Sequence, residues 1–505
     1  MKGFSRFSGF AAVVVAIGVV AGAAGDLTGR WVSRVPNGDG TFRETVFVLN
    51  QQGTTLTGSV ISPTSEQPIA DGAIDGDTFS FASAPATNPR RVVYRGARAG
   101  DELRITIVRP GRPDQTLTAS RGPDSAGRLP DRIPPPELHP VPDNGLARTP
   151  PMGWNSWNKF RGAVDGATVR AIADAMAANG MKQAGYIYVN IDDTWEAGRD
   201  SSGRILTNRK FPDMKALADY VHAKGLKLGI YSSPGPFTCA GYEGSYGHEV
   251  DDARTYAAWG IDYLKYDWCS AARIYRDHEM QAVYQKMGDA LRATGRPIVF
   301  SLCQYGRQDV WKWGADVGGN LWRTTGDISD TWESMSRIGF NQDEIAPYAK
   351  PGHWNDPDML EIGNGGMTEA EYRTHMSLWA ILAAPLLAGN DLQTVSPEIL
   401  AILTNRDVIA IDQDALGQQG RRMKKDGDVE IWVKPLSGGA RAIGVFNRGG
   451  AAAPVSLRCD DLQLCGGYTM RDVWAAKDLG PLGATFSTSV PSHGVVLLVV
   501  RSVRV

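Results

Sequence analysis

The spacing of hydrophobic and polar residues changes three times along the chain. From Asp26 to about Arg121, short runs alternate apolar and polar residues, with Gly, Asn and Asp between the runs. This pattern predicts an all-β sandwich or small barrel. The pairs Asp71-Gly72 and Asp75-Gly76 predict tight turns. No catalytic constellation lies in this segment, so residues 26–121 are interpreted as an accessory or spacer domain, with a carbohydrate-binding module as the alternative.

Prolines mark the next segment as a linker. Seven prolines fall within residues 122–146, and such density favours extended, polyproline-like backbone. The linker can pack along the following domain rather than hang free.

Between residues 147 and 417, strand-like and helix-like runs alternate, which predicts βα units around a parallel sheet. Eight such strands fit a (β/α)₈ TIM barrel, whereas an open doubly wound sheet would require a Gly-rich loop after its first strand. From 418 to 505 the short-strand pattern returns and predicts an antiparallel β-domain. The predicted barrel strands are Met152–Trp157, Tyr186–Asp192, Leu226–Ser232, Tyr263–Trp268, Ile298–Leu302, Leu321–Thr325, His353–Met359 and Ile381–Ala388; the predicted helices include Ala167–Asn179, Asp213–Lys224 and His248–Trp259.

The first 25 residues resemble an export signal. Lys2 and Arg6 precede the apolar run Phe10–Val20, and Ala21-Gly22-Ala23 supplies a small-residue cleavage site. We therefore expect a secreted or periplasmic protein. A single membrane anchor is the alternative, but the run is short for a bilayer.

Composition narrows the classes of partner and chemistry. The chain has 505 residues, enough for about three domains, and a net charge of −2 with a pI near 6.4, so nucleic acid is not expected as a partner. The 14 Trp residues suit flat sugar rings. The five cysteines are an odd number and show no zinc-ligand spacing. We expect no metal and no cofactor.

Two predicted strands run into a carboxylate, Asp267 in one and Asp327 in the other. The C-terminal ends of barrel strands converge on one mouth. Two carboxylates across a pocket are the minimum equipment for cleaving a glycosidic bond. Arg323 and Asp327 can both reach that pocket only if the chain bends at Thr325-Gly326.

Further polar side chains occupy the same strand ends. Lys265, Asp267 and Cys269 are spaced by two, so they share one face of their strand. The pair Asp192-Asp193 is either a turn or helix cap or, because it follows an apolar strand, a binder of sugar hydroxyls. Trp157 is a better candidate than Trp154 for stacking on a sugar ring.

Six ordered motifs resemble glycoside hydrolase family 27, which contains α-galactosidases (melibiases) and α-N-acetylgalactosaminidases. The resemblance runs from about Asn144 to the C-terminus and does not cover residues 26–130. It implies a retaining mechanism on a (β/α)₈ barrel followed by an antiparallel β-sandwich. The motifs are TPPMGWNSWNKF (149–160), IDDTW (191–195), LKLGIYSS (226–233), YLKYDWC (263–269), WRTTGDI (322–328) and GHWNDPDM (352–359).

The resemblance also assigns roles to individual residues. Asp267 matches the nucleophile and Asp327 the general acid/base, while Cys239 and Cys269 match a disulfide beside the pocket. Substrate-binding positions are matched by Trp157, Asp192, Asp193, Tyr231, Lys265, Cys303, Gln304, Tyr305, Arg323 and Met359. Asp192, Asp193 and Lys265 correspond to the 4- and 6-hydroxyl side of galactose.

The sequence departs from the family pattern at three places. Thr194 stands where many members carry a cysteine, and Cys303 has no evident partner. Gln304-Tyr305 replaces a frequent Glu-Trp at the 2-position pocket. Separately, Cys459 and Cys465 are spaced to clip a hairpin in an oxidising compartment.

The mechanism sets an expectation for each catalytic carboxyl group. Asp267 must be ionised, which Lys265 and Arg323 favour. Asp327 must hold a proton, so we expect burial and the charge of Asp267 to raise its pKa.

The predicted function is that of an exported exo-glycosidase that hydrolyses terminal α-D-galactosyl residues of oligo- or polysaccharides through a glycosyl-Asp267 intermediate. β-L-Arabinopyranosidase and α-N-acetylgalactosaminidase are alternatives on the same scaffold; the large Gln304 and Tyr305 rank the second lower. A non-catalytic sugar-binding protein would have lost Asp267 or Asp327. No membrane partner is expected after signal removal, and homo-oligomerisation stays open.

Overall fold

The computed structural model describes residues 1, 26–84, 88, 91–460, 462 and 464–503. The predicted export signal therefore lies outside the described residues, apart from Met1. The chain forms two compact units. The first comprises Met1–Arg34, Thr45–Ile61 and Glu66–Ala126, and the second comprises Val35–Glu44, Ser62–Ser65 and Gly127–Val505.

The N-terminal β-domain is a nine-stranded sheet in which the second strand pairs with both the first and the third. Its strands are Gly29–Pro36, Phe42–Gln52, Thr55–Ser62, Ser65–Pro68, Ala70–Asp75, Thr78–Ala82, Val93–Ala99, Glu102–Val108 and Gln115–Arg121. The turn predicted at Asp75-Gly76 is present, since Asp75 pairs with Thr78 across it. The turn predicted at Asp71-Gly72 is wrong: the register shifts there within a strand, and Asp71 has a φ of 52° at this bulge.

A parallel eight-stranded sheet forms the centre of the second unit. Strand 1 pairs with strands 2 and 8, and the order continues through strand 7. The barrel closes at Leu360, which forms a parallel bridge to Ala388. The barrel strands, numbered 1 to 8 along the chain, are Met152–Asn155, Tyr188–Asn190, Lys227–Ser232, Tyr263–Asp267, Val299–Cys303, Leu321–Arg323, Trp354–Asp356 and Leu386–Ala388.

The largest error in the predicted strands concerns strand 8. The prediction placed it at Ile381–Ala388, but Glu369–Leu382 is a helix and the strand covers only Leu386–Ala388. The last residues of this helix, Ile381 and Leu382, continue as one apolar run into the strand, so hydrophobicity alone does not mark where the helix ends.

Helices surround the strands, and several begin at the capping residues that their sequences contain. Asp165 and Asp213 accept hydrogen bonds from the backbone N–H groups of Thr168 and Ala216, which stabilises the first turn of each helix. The α-helices are Trp157–Phe160, Gly166–Ala178, Met181–Ala184, Met214–Ala223, Glu249–Trp259, Met280–Ala293, Trp332–Gly339, Glu369–Leu382, Pro397–Leu403 and Arg406–Asp412. The 3₁₀ turns are Arg161–Ala163, Ser270–Arg273, Asp277–Glu279, Arg307–Lys312, Ala346–Tyr348 and Ser437–Gly439. A short hairpin, Glu196–Arg199 with Ile205–Thr207, follows strand 2.

The C-terminal part folds into two antiparallel sheets. The larger contains Arg421–Asp426, Val429–Pro435, Arg441–Asn447, Val495–Ser502, Tyr468–Asp472 and Lys477–Pro481; the smaller pairs Ala453–Arg458 with Thr485–Val490. Apolar side chains from both sheets form one core. Within the described residues, no helix has the length and apolar character needed to cross a bilayer.

Candidate active site

The C-terminal ends of the barrel strands bring the two predicted catalytic carboxylates into one charged cluster. Asp267 is the last residue of strand 4, and Cys303 pairs with it on strand 5. Tyr231 on strand 3 pairs with Lys265 on strand 4. Parallel register therefore places these four side chains at one edge of the sheet.

Two phenol groups hold the Asp267 carboxylate. Tyr305 Oη donates to Asp267 Oδ1 at 2.6 Å, and Tyr231 Oη donates to Oδ2 at 3.1 Å. Asp267 is only 5% exposed. Each oxygen of the carboxylate is therefore oriented by a neutral donor.

The protonation of Asp267 reflects opposing influences. Burial raises its pKa to about 6, while the Lys265 ammonium and the Tyr305 hydrogen bond favour the ionised form. The expected stabilisation by Lys265 is present, but desolvation outweighs it. The ionised form of Asp267 is the majority form only above about pH 6.

Removing the Tyr305 hydroxyl is expected to shift the acid limb of the pH profile upward. Tyr305→Phe deletes a hydrogen bond that favours the Asp267 carboxylate, so the pKa of Asp267 rises. As the pH is lowered, the activity of Tyr305→Phe should therefore begin to fall at a higher pH than that of wild type. A hydrogen bond to a charged group contributes about 1.5 kcal/mol or more, which corresponds to roughly one pH unit. The pH dependence of kcat/KM measures this, because it reports the free enzyme.

Tyr220→Phe is the matched control for that measurement. Tyr220 Oη also donates to a carboxylate, that of the exposed Asp174, but Tyr220 and Asp174 lie on the helices Met214–Ala223 and Gly166–Ala178 rather than at the strand ends. Its removal should leave the acid limb in place. An unmoved limb in Tyr305→Phe would contradict the role given to the Tyr305 hydroxyl.

Asp327 lies in the loop after strand 6, beyond a bend at Thr325-Gly326 as the sequence predicted. Arg323 Nη2 contacts Asp327 Oδ1 at 3.1 Å and Asp358 Oδ2 at 2.8 Å. The Asp327 side chain is 68% exposed, whereas those of Arg323 and Asp358 are buried. The acid/base candidate therefore stands at the solvent side of a buried ion pair.

The expectation that the pKa of Asp327 is raised is wrong. Partial desolvation by the surrounding protein pushes the pKa upward, but Arg323, Lys265 and Arg161 outweigh it and hold the pKa below its usual value. Below about pH 6, Asp267 is therefore mostly protonated, whereas the lowered pKa of Asp327 favours its ionised form. A bound sugar that excludes water from Asp327 would raise the pKa of Asp327 towards the form that a general acid needs.

A second buried charge pair occupies the end of strand 2. Lys265 Nζ donates to Asp192 Oδ2 at 2.8 Å, and Asn155 Nδ2 donates to the same oxygen at 2.9 Å. The backbone N–H of Asp192 donates to Ser156 Oγ at 3.0 Å. This network excludes the simple turn interpretation, because Asp192 caps no helix and is bound to strand 4.

Asp193 is fixed mainly by backbone donors. Its Oδ1 accepts from the N–H of Thr194 at 2.7 Å and its Oδ2 from the N–H of Ala240 at 2.8 Å. Burial raises its pKa to about 7 against the Thr238 and Ala240 hydrogen bonds, and the charge of Asp192 adds to the rise. Near neutral pH this carboxyl group therefore changes between its ionised form, which only accepts hydrogen bonds, and its protonated form, which can also donate one.

The disulfide implied by the family resemblance, Cys239–Cys269, is present. Cys269 Sγ also lies 3.2 Å from Tyr231 Oη, and Cys239 Sγ lies 3.6 Å from Tyr305 Oη. The bond therefore joins the loop after strand 3 to the end of strand 4, beside both phenols.

The remaining cysteines behave differently. Cys459 and Cys465 also form a disulfide. Cys303 is free and buried, with Arg323 Nη1 at 3.6 Å from its sulfur. Burial raises the pKa of its thiol well above the usual value, which keeps it neutral.

The remaining predicted substrate-binding residues are Trp157, Met359 and Gln304. Trp157 begins a short helix and is half-buried near Arg161. Met359 is buried after strand 7. Gln304 is fully buried, and neither of its amide atoms has a hydrogen-bond partner within the described chain. Trp154, by contrast, is a core residue.

Two residues matter more than the sequence indicated. Asn155 anchors Asp192, and its Oδ1 also accepts from the N–H of Trp157. Asp358 binds Arg323 and accepts from the N–H of Ile328, the neighbour of Asp327. Their position at strand ends was the available signal, but pairing across strands gives them these roles.

Two groups of side chains have the proximity required of metal ligands in the described residues: Cys239 with Asp267 and Cys269, and Cys459 with Asp460 and Cys465. In both groups the two cysteines are bonded to each other. A thiolate is the form of cysteine that binds a metal, and these sulfurs are not thiolates.

A (β/α)₈ barrel with two acidic groups at its C-terminal mouth, among Lys, Arg and aromatic side chains, is an arrangement suited to a glycoside hydrolase. The family model described as "Alpha galactosidase A" matches residues 149–414, and that of its C-terminal β-sandwich domain matches residues 426–500. The chain belongs to this α-galactosidase family.

Several proteins that are similar to this chain carry the name α-galactosidase. α-Galactosidase A from Cellvibrio japonicus is 48% identical over 378 residues, which cover 70% of this chain and 92% of that protein. The crystal structure of α-galactosidase I from Mortierella vinacea has a TM-score of 0.68 and 36% identity, covering 72% of this chain and 99% of its own. The Saccharomyces cerevisiae α-galactosidase, solved with raffinose, has a TM-score of 0.66 and 28% identity, covering 71% and 99%.

Proposed function

We propose that this protein is an exported, retaining exo-α-galactosidase that releases terminal α-D-galactosyl residues from oligo- or polysaccharides. The observation that carries the proposal is the pair of unlike carboxyl groups at the barrel mouth. Asp267 is buried and held by two phenols, whereas Asp327 is exposed beside Arg323. A buried, oriented nucleophile and a solvent-side acid/base suit the two steps of a retaining mechanism.

In the first step, an Asp267 oxygen attacks the anomeric carbon and the bond to the aglycone oxygen breaks. Asp327 donates its proton to that oxygen, so the aglycone leaves as a neutral alcohol. In the second step, Asp327 removes a proton from water, which attacks the anomeric carbon and releases Asp267 as a carboxylate. Two inversions give net retention.

The pair Asp192–Lys265 and the neighbouring Asp193 are proposed to bind the 4- and 6-hydroxyl groups of galactose. Asp192 and Lys265 neutralise each other, so they can accept from and donate to a sugar without an unpaired buried charge. Asp193 keeps lone pairs on both oxygens besides its backbone hydrogen bonds.

Export is proposed from residues 1–25, and two disulfides in one chain suit an oxidising compartment. N-terminal sequencing of the protein recovered outside the cytoplasm checks this. A cytoplasmic protein that retains Met1 would contradict it.

Initial rates on 4-nitrophenyl α-galactoside, β-L-arabinopyranoside and α-N-acetylgalactosaminide test the function. We expect the α-galactoside to be hydrolysed fastest, and proton NMR to detect α-galactose as the first product. Absence of α-galactoside hydrolysis would overturn the proposal, and β-galactose as the first product would overturn the retaining mechanism.

Asp193 is expected to select for the hydroxymethyl group of galactose. A substrate without the 6-hydroxyl would leave a buried acceptor unpaired, at a cost of about 1–3 kcal/mol. We therefore expect kcat/KM for the α-galactoside to exceed that for the β-L-arabinopyranoside by about 10- to 100-fold. Asp193→Ala should narrow this ratio, because the discriminating acceptor is gone.

Asp219→Ala is the control for the selectivity measurement, since Asp219 lies exposed on an outer helix beside Lys215. The ratio of kcat/KM for the α-galactoside to that for the β-L-arabinopyranoside should be the same in Asp219→Ala as in wild type. Equal wild-type rates on the two substrates would show that the hydroxymethyl group is not recognised, and arabinopyranosidase would become the better assignment.

A further inference from the structure

Lys210 joins two loops at the barrel mouth that are not cross-linked to each other by a covalent bond. Its Nζ donates to the carbonyl oxygen of Gly162 at 2.8 Å and to Thr194 Oγ1 at 2.7 Å. Gly162 lies in the 3₁₀ turn that follows strand 1, and Thr194 follows strand 2. The Lys210 side chain is only 15% exposed, so its hydrogen bond to Thr194 is partly shielded from water.

Thr194 has a backbone conformation that needs support. Its φ is 84°, in the left-handed region that a β-branched residue rarely adopts. Asn208 Nδ2 donates to the Thr194 carbonyl at 2.8 Å, and Lys210 binds the hydroxyl. Strained residues persist when their surroundings fix them from several sides, and Lys210 supplies one of these contacts.

The conformation of Thr194 positions one of the donors to Asp193. The Thr194 N–H donates to Asp193 Oδ1 at 2.7 Å. A change in the conformation of Thr194 would therefore move a hydrogen-bond donor of Asp193, the carboxylate that is proposed to bind the sugar. Thr194 links Lys210 to Asp193 without any contact of Lys210 with the substrate.

The charges around Lys210 also favour its position. Asp39 Oδ2, in the 35–44 segment of the same unit, lies 4.0 Å from Nζ. Glu196 is fully buried, and neither of its carboxyl oxygens has a hydrogen-bond partner within the described residues. Burial and the charge of Asp193 raise the pKa of Glu196 well above its usual value, which favours the neutral form of Glu196. Burial lowers the pKa of Lys210, whereas the charges of Asp39 and Asp193 favour its charged form.

We propose that Lys210 is a positioning residue for sugar recognition, which holds the loops after strands 1 and 2 together and thereby fixes Asp193. The inference rests on the proposed function of Asp193 as a binder of the galactose hydroxymethyl arm.

Lys210→Met removes both hydrogen bonds and nearly preserves the side-chain volume. We expect KM for 4-nitrophenyl α-galactoside to rise about tenfold, the effect of losing about one good hydrogen bond, while kcat changes little. The galactoside to arabinopyranoside ratio of kcat/KM should narrow, because a misplaced Asp193 discriminates less. Lys210→Arg, which keeps the charge and donors, should lie between Lys210→Met and wild type.

Lys182→Met is the matched control. Lys182 Nζ also donates to a backbone carbonyl, that of Lys224, near the points where strands 2 and 3 begin. Its loss should leave KM and the substrate ratio unchanged. If Lys210→Met does not fold, Lys210→Gln, which keeps a donor without the charge, replaces it in every comparison.

A disulfide can replace the proposed link. A Cβ built on Gly162 would lie 3.6 Å from Thr194 Cγ2, with Gly162 itself outside the left-handed region. The two positions are therefore close enough for cysteines to bond. Adding Gly162→Cys and Thr194→Cys to Lys210→Met, with the cross-link confirmed by non-reducing peptide mapping, should restore KM and the substrate ratio.

The outcomes separate this inference from the proposed function. If wild-type protein does not hydrolyse the α-galactoside, the proposed function fails. If wild type is active but Lys210→Met has the same KM and the same galactoside to arabinopyranoside ratio of kcat/KM as wild type, the inference about Lys210 is overturned. It is equally overturned if Lys210→Met lowers the activity on both substrates in the same proportion and also lowers the thermal unfolding temperature, because Lys210 would then be merely structural.

Discussion

Asp267→Asn is expected to reduce kcat by several orders of magnitude while galactose still binds. The amide keeps the shape of the carboxylate and can remain close to Tyr231 and Tyr305, but it cannot form the glycosyl ester. Each 1.36 kcal/mol of lost transition-state stabilisation lowers the rate about tenfold, and a nucleophile acts only in that transition state. Turnover of 4-nitrophenyl α-galactoside and the thermal shift with galactose measure the two effects.

A small anion tests the geometry of the same position. In Asp267→Gly, azide can enter the space of the lost carboxylate and attack the anomeric carbon, so activity should partly return and the product should be the galactosyl azide of inverted configuration. Asp289→Asn, on the exposed side of helix Met280–Ala293, is the control and should retain wild-type turnover. Near-wild-type turnover in Asp267→Asn would remove Asp267 from the nucleophile role.

Asp327→Ala is expected to affect substrates according to their leaving groups. General acid catalysis contributes about 10²- to 10⁴-fold, and an alkyl or sugar aglycone needs the whole of it. An activated phenol leaves as the phenolate, so the glycosylation step should lose much less. Comparison of kcat/KM for raffinose and for a dinitrophenyl α-galactoside measures the difference within one variant.

The second step of the reaction provides an independent test of Asp327. In Asp327→Ala no base activates water, so deglycosylation slows and kcat for the activated substrate falls more than kcat/KM. Azide, which needs no base, should accelerate this step and give the azide of retained configuration. Equal losses for all leaving groups, without azide acceleration, would exclude Asp327 as the acid/base.

The sequence predicted most of the fold because each barrel strand is a short apolar run with polar residues at its end. Strand 4 ends at Asp267 and strand 3 at Ser232, close to the predicted bounds. Strand 8 was misplaced because the apolar run Ile381–Ala388 crosses the end of helix Glu369–Leu382, and a short apolar run fits a buried helix as well as a strand. Local pattern cannot separate these two cases.

The positions of Asp267 and Asp327 near the ends of strands 4 and 6 also followed from the sequence, but their protonation did not. Lys265 and Asp267 share a face because strand spacing requires it. The pKa of Asp327 depends on how far its side chain stands in solvent and how close Arg323 lies, and it is lowered rather than raised. Neither quantity is a property of spacing along the chain.

The sequence by itself determined the barrel, the flanking β-domains, the two catalytic candidates and, through its resemblance to a family, the Cys239–Cys269 pairing. These depend on the period of apolar residues and on residue type. Only the tertiary structure decided that Tyr305 and Tyr231 hold Asp267, that Asp358 orients Arg323, and that Lys210 joins the loops at Gly162 and Thr194. These contacts join residues from different strands or loops, and hydrogen bonds and ion pairs act over a few ångströms of space, which only the folded chain defines.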